Sequence, residues 1–118
     1  MLVVEEKPVI GHINDVKEED VTGAKNTKIQ WLIHKDVGAK RFAMRRFTIK
    51  RGGEIPKHAH PWEHEIYILS GTGVIGIGDR EYTVSEDMFI YVPPNVEHWY
   101  KNTGDEDFVF ICVIPYLE

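Results

Sequence analysis

Residues 52–71 read Gly-Gly-Glu-Ile-Pro-Lys-His-Ala-His-Pro-Trp-Glu-His-Glu-Ile-Tyr-Ile-Leu-Ser-Gly. Three of the chain's six histidines, His58, His60 and His64, fall here within seven residues. Side chains on an extended segment alternate faces with period two, so His58 and His60 point to the same side. Pro61 has no N–H to give a strand ladder and interrupts the segment. His64 then opens the apolar run Glu65-Ile66-Tyr67-Ile68-Leu69, which reads as a strand. The imidazoles therefore converge from two neighbouring strands across one tight connection, which is how a β-scaffold assembles a metal site.

Working outward, the rest of the chain reads as short strands. Downstream, Gly71-Thr72-Gly73 is a turn, and Val74–Ile77 pairs with Glu81–Val84 across Gly78-Asp79, a type II′ hairpin. Met88–Val92 is an apolar run stopped by Pro93-Pro94. Val96–Tyr100 alternates, so His98 and Tyr100 share a face and Trp99 takes the other. A polar turn at 102–107 leads to the last strand, Phe108–Ile114. Upstream, Phe42–Ile49 is a strand whose odd positions are Ala43, Arg45, Phe47 and Ile49. Its alternation does not settle which face is inward. The more apolar odd face would aim Arg45 at a pocket; the alternative is a solvated arginine near a strand end. Lys28–His34 is a further strand. In residues 1–26, Val3-Val4 and Val9-Ile10 read as short edge strands split by Pro8, and residues 14–21 as a charged connection with a helical turn. His12 reads as a surface residue and His34 as structural or exposed. Many short strands with Gly, Pro and Asn turns and no long amphipathic helix define an all-β sandwich or barrel.

The two motifs resemble those of the cupin family. The first is Gly, five residues, His-x-His, three or four residues, Glu, six residues, Gly; Gly52, His58, His60 and Gly71 match it. His64 stands where the family usually has Glu, and Glu65 is the neighbouring alternative, though only position 64 keeps the six-residue step to Gly71. The second motif is matched by Pro93, His98 and Asn102, with Asp87 and Asn95 in place of its usual glycines. Asn tolerates a left-handed turn, whereas Asp87 is the larger departure. Fifteen residues separate the motifs, as in compact microbial cupins. The resemblance covers roughly residues 42–115. It implies a single cupin domain over residues 1–118, a double-stranded β-helix or jelly-roll barrel. Within the family the chain is similar to small four-histidine manganese cupins, with His58, His60, His64 and His98 as ligands. It also implies a homodimer, for which Trp99, Trp31 and segment 1–26 are candidate contacts.

Four neutral imidazoles suit manganese, iron, nickel or zinc, with manganese favoured by the resemblance. A structural zinc site would be closed and rich in cysteine, and neither motif contains one. Neutral ligands leave the ion its full charge, making it a strong Lewis acid towards water or an enolate. Three functions follow: a dioxygenase-like oxidoreductase acting on a small organic substrate, read first; a metal-dependent isomerase, lyase or hydrolase holding an enolate; and a non-catalytic small-molecule binder. Further pocket candidates are Arg45, Trp62 as a roof over the cavity or a packing residue, Tyr100 through its hydroxyl unless that bonds a backbone carbonyl, and Cys112, which also reads as a small buried apolar residue. Glu63 and Glu65 are either acceptors for a ligand imidazole's N–H or solvated.

Composition bounds the partners. A net charge of −5 over 118 residues lacks the basic footprint of a nucleic-acid binder. Residues 1–8 have neither the basic start nor the apolar stretch of a signal peptide, and no run approaches the ~18 apolar residues of a membrane helix. One cysteine cannot make an internal disulfide, so the expected compartment is the cytoplasm.

Overall fold

Period-two burial is written along the strands of this chain, and a computed structural model shows how they assemble; it describes residues 7–117. In β9 (Phe108–Pro115), Phe108, Phe110, Cys112 and Ile114 are buried; in β4 (His64–Ser70), His64, Ile66 and Ile68 are. The other strands are β1 (Glu19–Asp20), β2 (Lys25–Ile33), β3 (Phe42–His58), β5 (Thr72–Ile77), β6 (Arg80–Ser85), β7 (Phe89–Val92) and β8 (His98–Asn102). The only helical elements among the described residues are two 3-10 turns, Ile13–Asp15 and Lys35–Val37. The fold is all-β, as its sequence implied.

The strands form one curled sheet in the order β6-β5-β8-β3-β9-β4-β7, with β2 also on β3 and β1 on β2. Strand β3 is its spine. Residues 42–49 pair with β9, and residues 44–49 and Glu54 with β2 on the other side, whereas Glu54 to His58 pair with β8 in place of β9. The change of neighbours occurs at Gly52-Gly53. A Cβ at Gly53 would lie 2.7–2.9 Å from the carbonyl oxygens of Lys25, Lys50 and Asn26, so only glycine lets these backbones meet. Asp87 (φ 70°) and Asn95 (φ 65°) both hold the left-handed conformation expected of the glycines they replace. Two-residue Gly78-Asp79 closes the β5–β6 hairpin with positive φ at Gly78 alone, as a type II′ turn requires.

The core is one cluster on the inner face, including Ile49, Ile68, Ile75, Phe108 and Phe110. Phe110 stacks on both Phe47 and Tyr100, at 5.3 and 5.2 Å between centroids. Some expectations need correction. Val9-Ile10 is not a strand: both residues are exposed, and no strand pairs with them. Val3-Val4 lies outside the described residues. Trp31 and Trp99 are each half-buried. Trp31 packs against the core, and the indole of Trp99 covers Gly76, where a Cβ would sit 2.0 Å from Nε1. Among the exposed apolar side chains, Tyr67, Leu69, Phe89 and Tyr91 lie together on the outer face of the β4–β7 pair.

Candidate metal centre

β3 ends at His58, and antiparallel pairing places His58 directly opposite His98 on β8. Their rings lie 4.2 Å apart between centroids. His60 follows in the connection after β3, 4.7 Å from His58, and His64 opens β4, 4.7 Å from His98 and 5.5 Å from His60. His58, His60 and His98 each offer a ring nitrogen, and these lie within 4.8 Å of one another, a cluster compatible with a divalent metal. His64 lies beside these three, its ring nearest that of His98, while Glu65 is exposed on the opposite face of β4.

The rings are oriented locally. Nδ1–H of His58 donates to the Pro56 carbonyl at 2.8 Å, and Nδ1–H of His98 to the Val96 carbonyl at 2.9 Å. A carbonyl only accepts, so in each neutral ring Nδ1 carries the proton and Nε2 keeps a free lone pair. The same device, a bond to the carbonyl two residues back, thus serves both strands. His64 Nδ1 meets Cys112 Sγ at 3.2 Å. Of the two readings of Glu63 and Glu65, acceptors or solvated residues, neither residue makes these contacts; backbone carbonyls and a thiol meet the rings. The Nε2 atoms of His64 and His98 are buried without a hydrogen-bond partner. Buried polar atoms are nearly always satisfied, so two orphaned lone pairs in one ring of imidazoles fit a group that accepts them. Burial is the first cause that lowers these rings' basicity, with neighbouring histidines and Arg45 adding to it: His60 falls to about 4 and His64 to about 3. His98 is lowered as well, again chiefly by burial. Neutral rings are what a cation needs.

The cluster borders a cavity of about 530 Å³ whose lining includes Ile29, Trp31, Arg45, Phe47, Ile55 and Tyr100. The odd face of β3 is inward, so Arg45 reaches the cavity, where Nη2 donates to Cys112 Sγ at 3.1 Å. Cys112 is 1% exposed, and burial pushes its thiol up. Tyr100 also lines the cavity, its hydroxyl driven well above the ordinary phenol range by burial. Trp62 stacks on His60 at 4.5 Å and 4° and packs against the core. Sequence reasoning missed Trp31 and Phe47 as walls and the segment Glu19–Ala24, which borders the opening. Period-two alternation in β3 held the signal for Phe47; nothing in residues 19–24 marked that loop. A larger groove of about 1090 Å³ beside residues 9–19 contains His12 and His34, but among the described residues no cluster of ligating groups. His12 caps the first 3-10 turn, accepting from Asn14 N–H.

A curled all-β sheet whose histidines meet at a cavity defines a cupin-type barrel. The chain belongs to the cupin family: its cupin-domain model (Cupin_2) matches residues 45–114. The chain is similar to the polyketide cyclase RemF of Streptomyces resistomycificus, with 34% identity and a TM-score of 0.87 over 92% of this chain and 80% of that one. A predicted oxalate decarboxylase of Thermotoga maritima shares the fold, at 24% identity and a TM-score of 0.81, covering 92% of this chain and all of that one. Mannose-1-phosphate guanylyltransferase of Escherichia coli is 26% identical over 88% of this chain, which spans only 26% of that enzyme's length.

Proposed function

We propose that the chain binds one divalent transition metal through His58, His60, His64 and His98, and acts as a metal-dependent lyase, isomerase or cyclase on a small carbonyl compound. The observation that carries the reading is the pair of buried, unpartnered Nε2 atoms of His64 and His98 beside His58 and His60. Bound there, the ion supplies Lewis acidity towards a substrate oxygen. The chain's own residues do the rest. Pro56 and Val96 carbonyls fix the rings of His58 and His98, Trp31, Phe47 and Ile55 exclude water, and Arg45 supplies a positive charge facing the cavity. Likeness to a polyketide cyclase at 34% identity supports non-oxidative chemistry over the dioxygenase read first from sequence. Manganese or iron oxygenation is the second reading, favoured by an all-neutral donor set that suits redox-active ions.

Elemental analysis of the purified and reconstituted protein tests the site. About one metal per chain is expected in wild type, and most of it is lost in His58→Ala or His98→Ala. Chelation should also lower the melting temperature, since an ion bound only by the folded form stabilises it. A metal-free wild type after reconstitution refutes the proposal. Turnover of a β-dicarbonyl panel without oxygen uptake supports the first reading; turnover that consumes oxygen establishes the second.

A further inference from the structure

We infer that Arg45 is the substrate-anchoring residue of this cavity, and that it selects a flat, conjugated organic carboxylate. The inference deepens the metal-site reading by naming the class of molecule that site accepts.

Arg45 is held in place without being neutralised. Its guanidinium carbon lies 5.0 Å from the centroid of the Phe47 ring and 5.6 Å from that of Trp31. Such contacts fix a cation's position through the ring quadrupoles. Its one hydrogen bond goes to the Cys112 sulfur, a weak acceptor, and its Nε is buried with no partner. Among the described residues no carboxylate forms a salt bridge with it. A half-buried guanidinium with a spare donor edge is unfavourable by itself and is relieved by an anion that takes that edge, carboxylates matching its fork bidentately.

Position and shape narrow the ligand. Cys112 Sγ touches both Arg45 and Nδ1 of His64, so the guanidinium is one sulfur atom away from the histidine ring system. A small molecule gripped by Arg45 therefore presents its adjoining atoms to the imidazole cluster. The walls beside it are aromatic or aliphatic, Trp31, Phe47, Tyr100, Ile29 and Ile55, in a cavity of about 530 Å³ suited to a planar body of a few fused rings. Two acidic residues stand at the opening. Asp20 is neutralised by Lys28 at 2.5 Å, and Glu19 is exposed, leaving the interior positive.

The probes are 2-naphthoate and its neutral isostere 2-naphthamide, followed by tryptophan fluorescence and calorimetry on metal-loaded and metal-free protein. Metal-free protein isolates the arginine, because an ion would itself favour a carboxylate. Wild type without metal should bind naphthoate about tenfold or more tightly than naphthamide, the usual scale of a charge-assisted pair. Arg45→Gln should abolish that preference while keeping naphthamide affinity within about twofold, and Arg45→Lys should restore part of it. Melting curves confirm that each variant is folded. Equal binding of the two probes by wild type, no binding of either, or an equal loss of both in Arg45→Gln overturns the inference; the last would make Arg45 only a support for Cys112. Naphthoate selectivity that depends on Arg45 in a protein that takes up no metal upholds the anchor while refuting the metal site.

Discussion

Replacing Asn102 by alanine tests how the strand that carries His98 and Tyr100 is tied to the rest of the barrel. Asn102 is 5% exposed at the end of β8. Its Nδ2 donates to the carbonyls of Ile49 and Glu106, each at 2.8 Å, and its Oδ1 accepts from Gly104 N–H at 2.9 Å. One side chain therefore pins the turn after β8 and ties it to β3. Each bond contributes about 1 kcal/mol net, so Asn102→Ala should destabilise by about 3 kcal/mol, more if the buried Ile49 carbonyl finds no water. For a chain of this length that corresponds to a fall of about 12 °C in melting temperature. Asn102→Asp is the sharper variant. A carboxylate still accepts from Gly104 but has no N–H for two carbonyls, and it sets a charge against them. It should be at least as unstable as the alanine variant. Urea titration of metal-free protein measures both, with an unchanged m-value establishing that only stability moved. A loss under about 1 kcal/mol for Asn102→Ala, or wild-type stability for Asn102→Asp, would refute the reasoning.

Two further outcomes follow from the histidines. His64→Glu should retain metal but lower its Lewis acidity, shifting the pH titration of the metal's spectroscopic signal upward, whereas His64→Ala should lose metal; wild-type behaviour in both would remove His64 from the site. In metal-free protein, His60 and His64 have folded values near 4 and 3 against an ordinary 6.5, so the unfolded chain binds more protons once pH drops below 6.5. Stability should therefore be flat in these groups above pH 7 and fall from pH 6.5 to 5, above the usual carboxylate range of about 4. A melting temperature unchanged across that window would count against buried neutral rings.

What the sequence disclosed was local. The spacing of His58 and His60 and the alternation of His98 with Tyr100 carried the side-chain directions, because period two is a property of the strand alone. The backbone needs of Asp87 and Asn95 followed from their motif positions, and both proved left-handed. Whatever depended on register stayed hidden. Cys112 reads as a pocket candidate from its own strand, but its contacts with Arg45 and His64 depend on its pairing with Arg45 on one side and Ile66 on the other, which no local pattern encodes. Nothing local marked Trp31 as a cavity residue; its pairing with Arg45 places it on the cavity wall. Val9-Ile10 had the composition of a strand and lacked a partner, and a strand without a partner has no ladder to stabilise it.

Strand order explains why these residues act together. β8, β3, β9 and β4 are consecutive neighbours in the sheet, and each delivers a group to the cavity wall, among them Tyr100, Arg45, Cys112 and His64. The contacts from Arg45 through Cys112 to His64 thus run across three adjacent strands, perpendicular to the chain. β3 carries both Arg45 and His58, on opposite sides of the Gly52-Gly53 bend. Interstrand spacing is set by backbone hydrogen bonds, about 4.8 Å per step, and does not respond to side-chain substitution. The separation between the cation and the histidine cluster is therefore a property of the sheet, while what fits between them is decided by side chains such as Trp31 and Phe47. A cupin scaffold of this kind can keep its histidine ring and change its ligand by altering those walls alone.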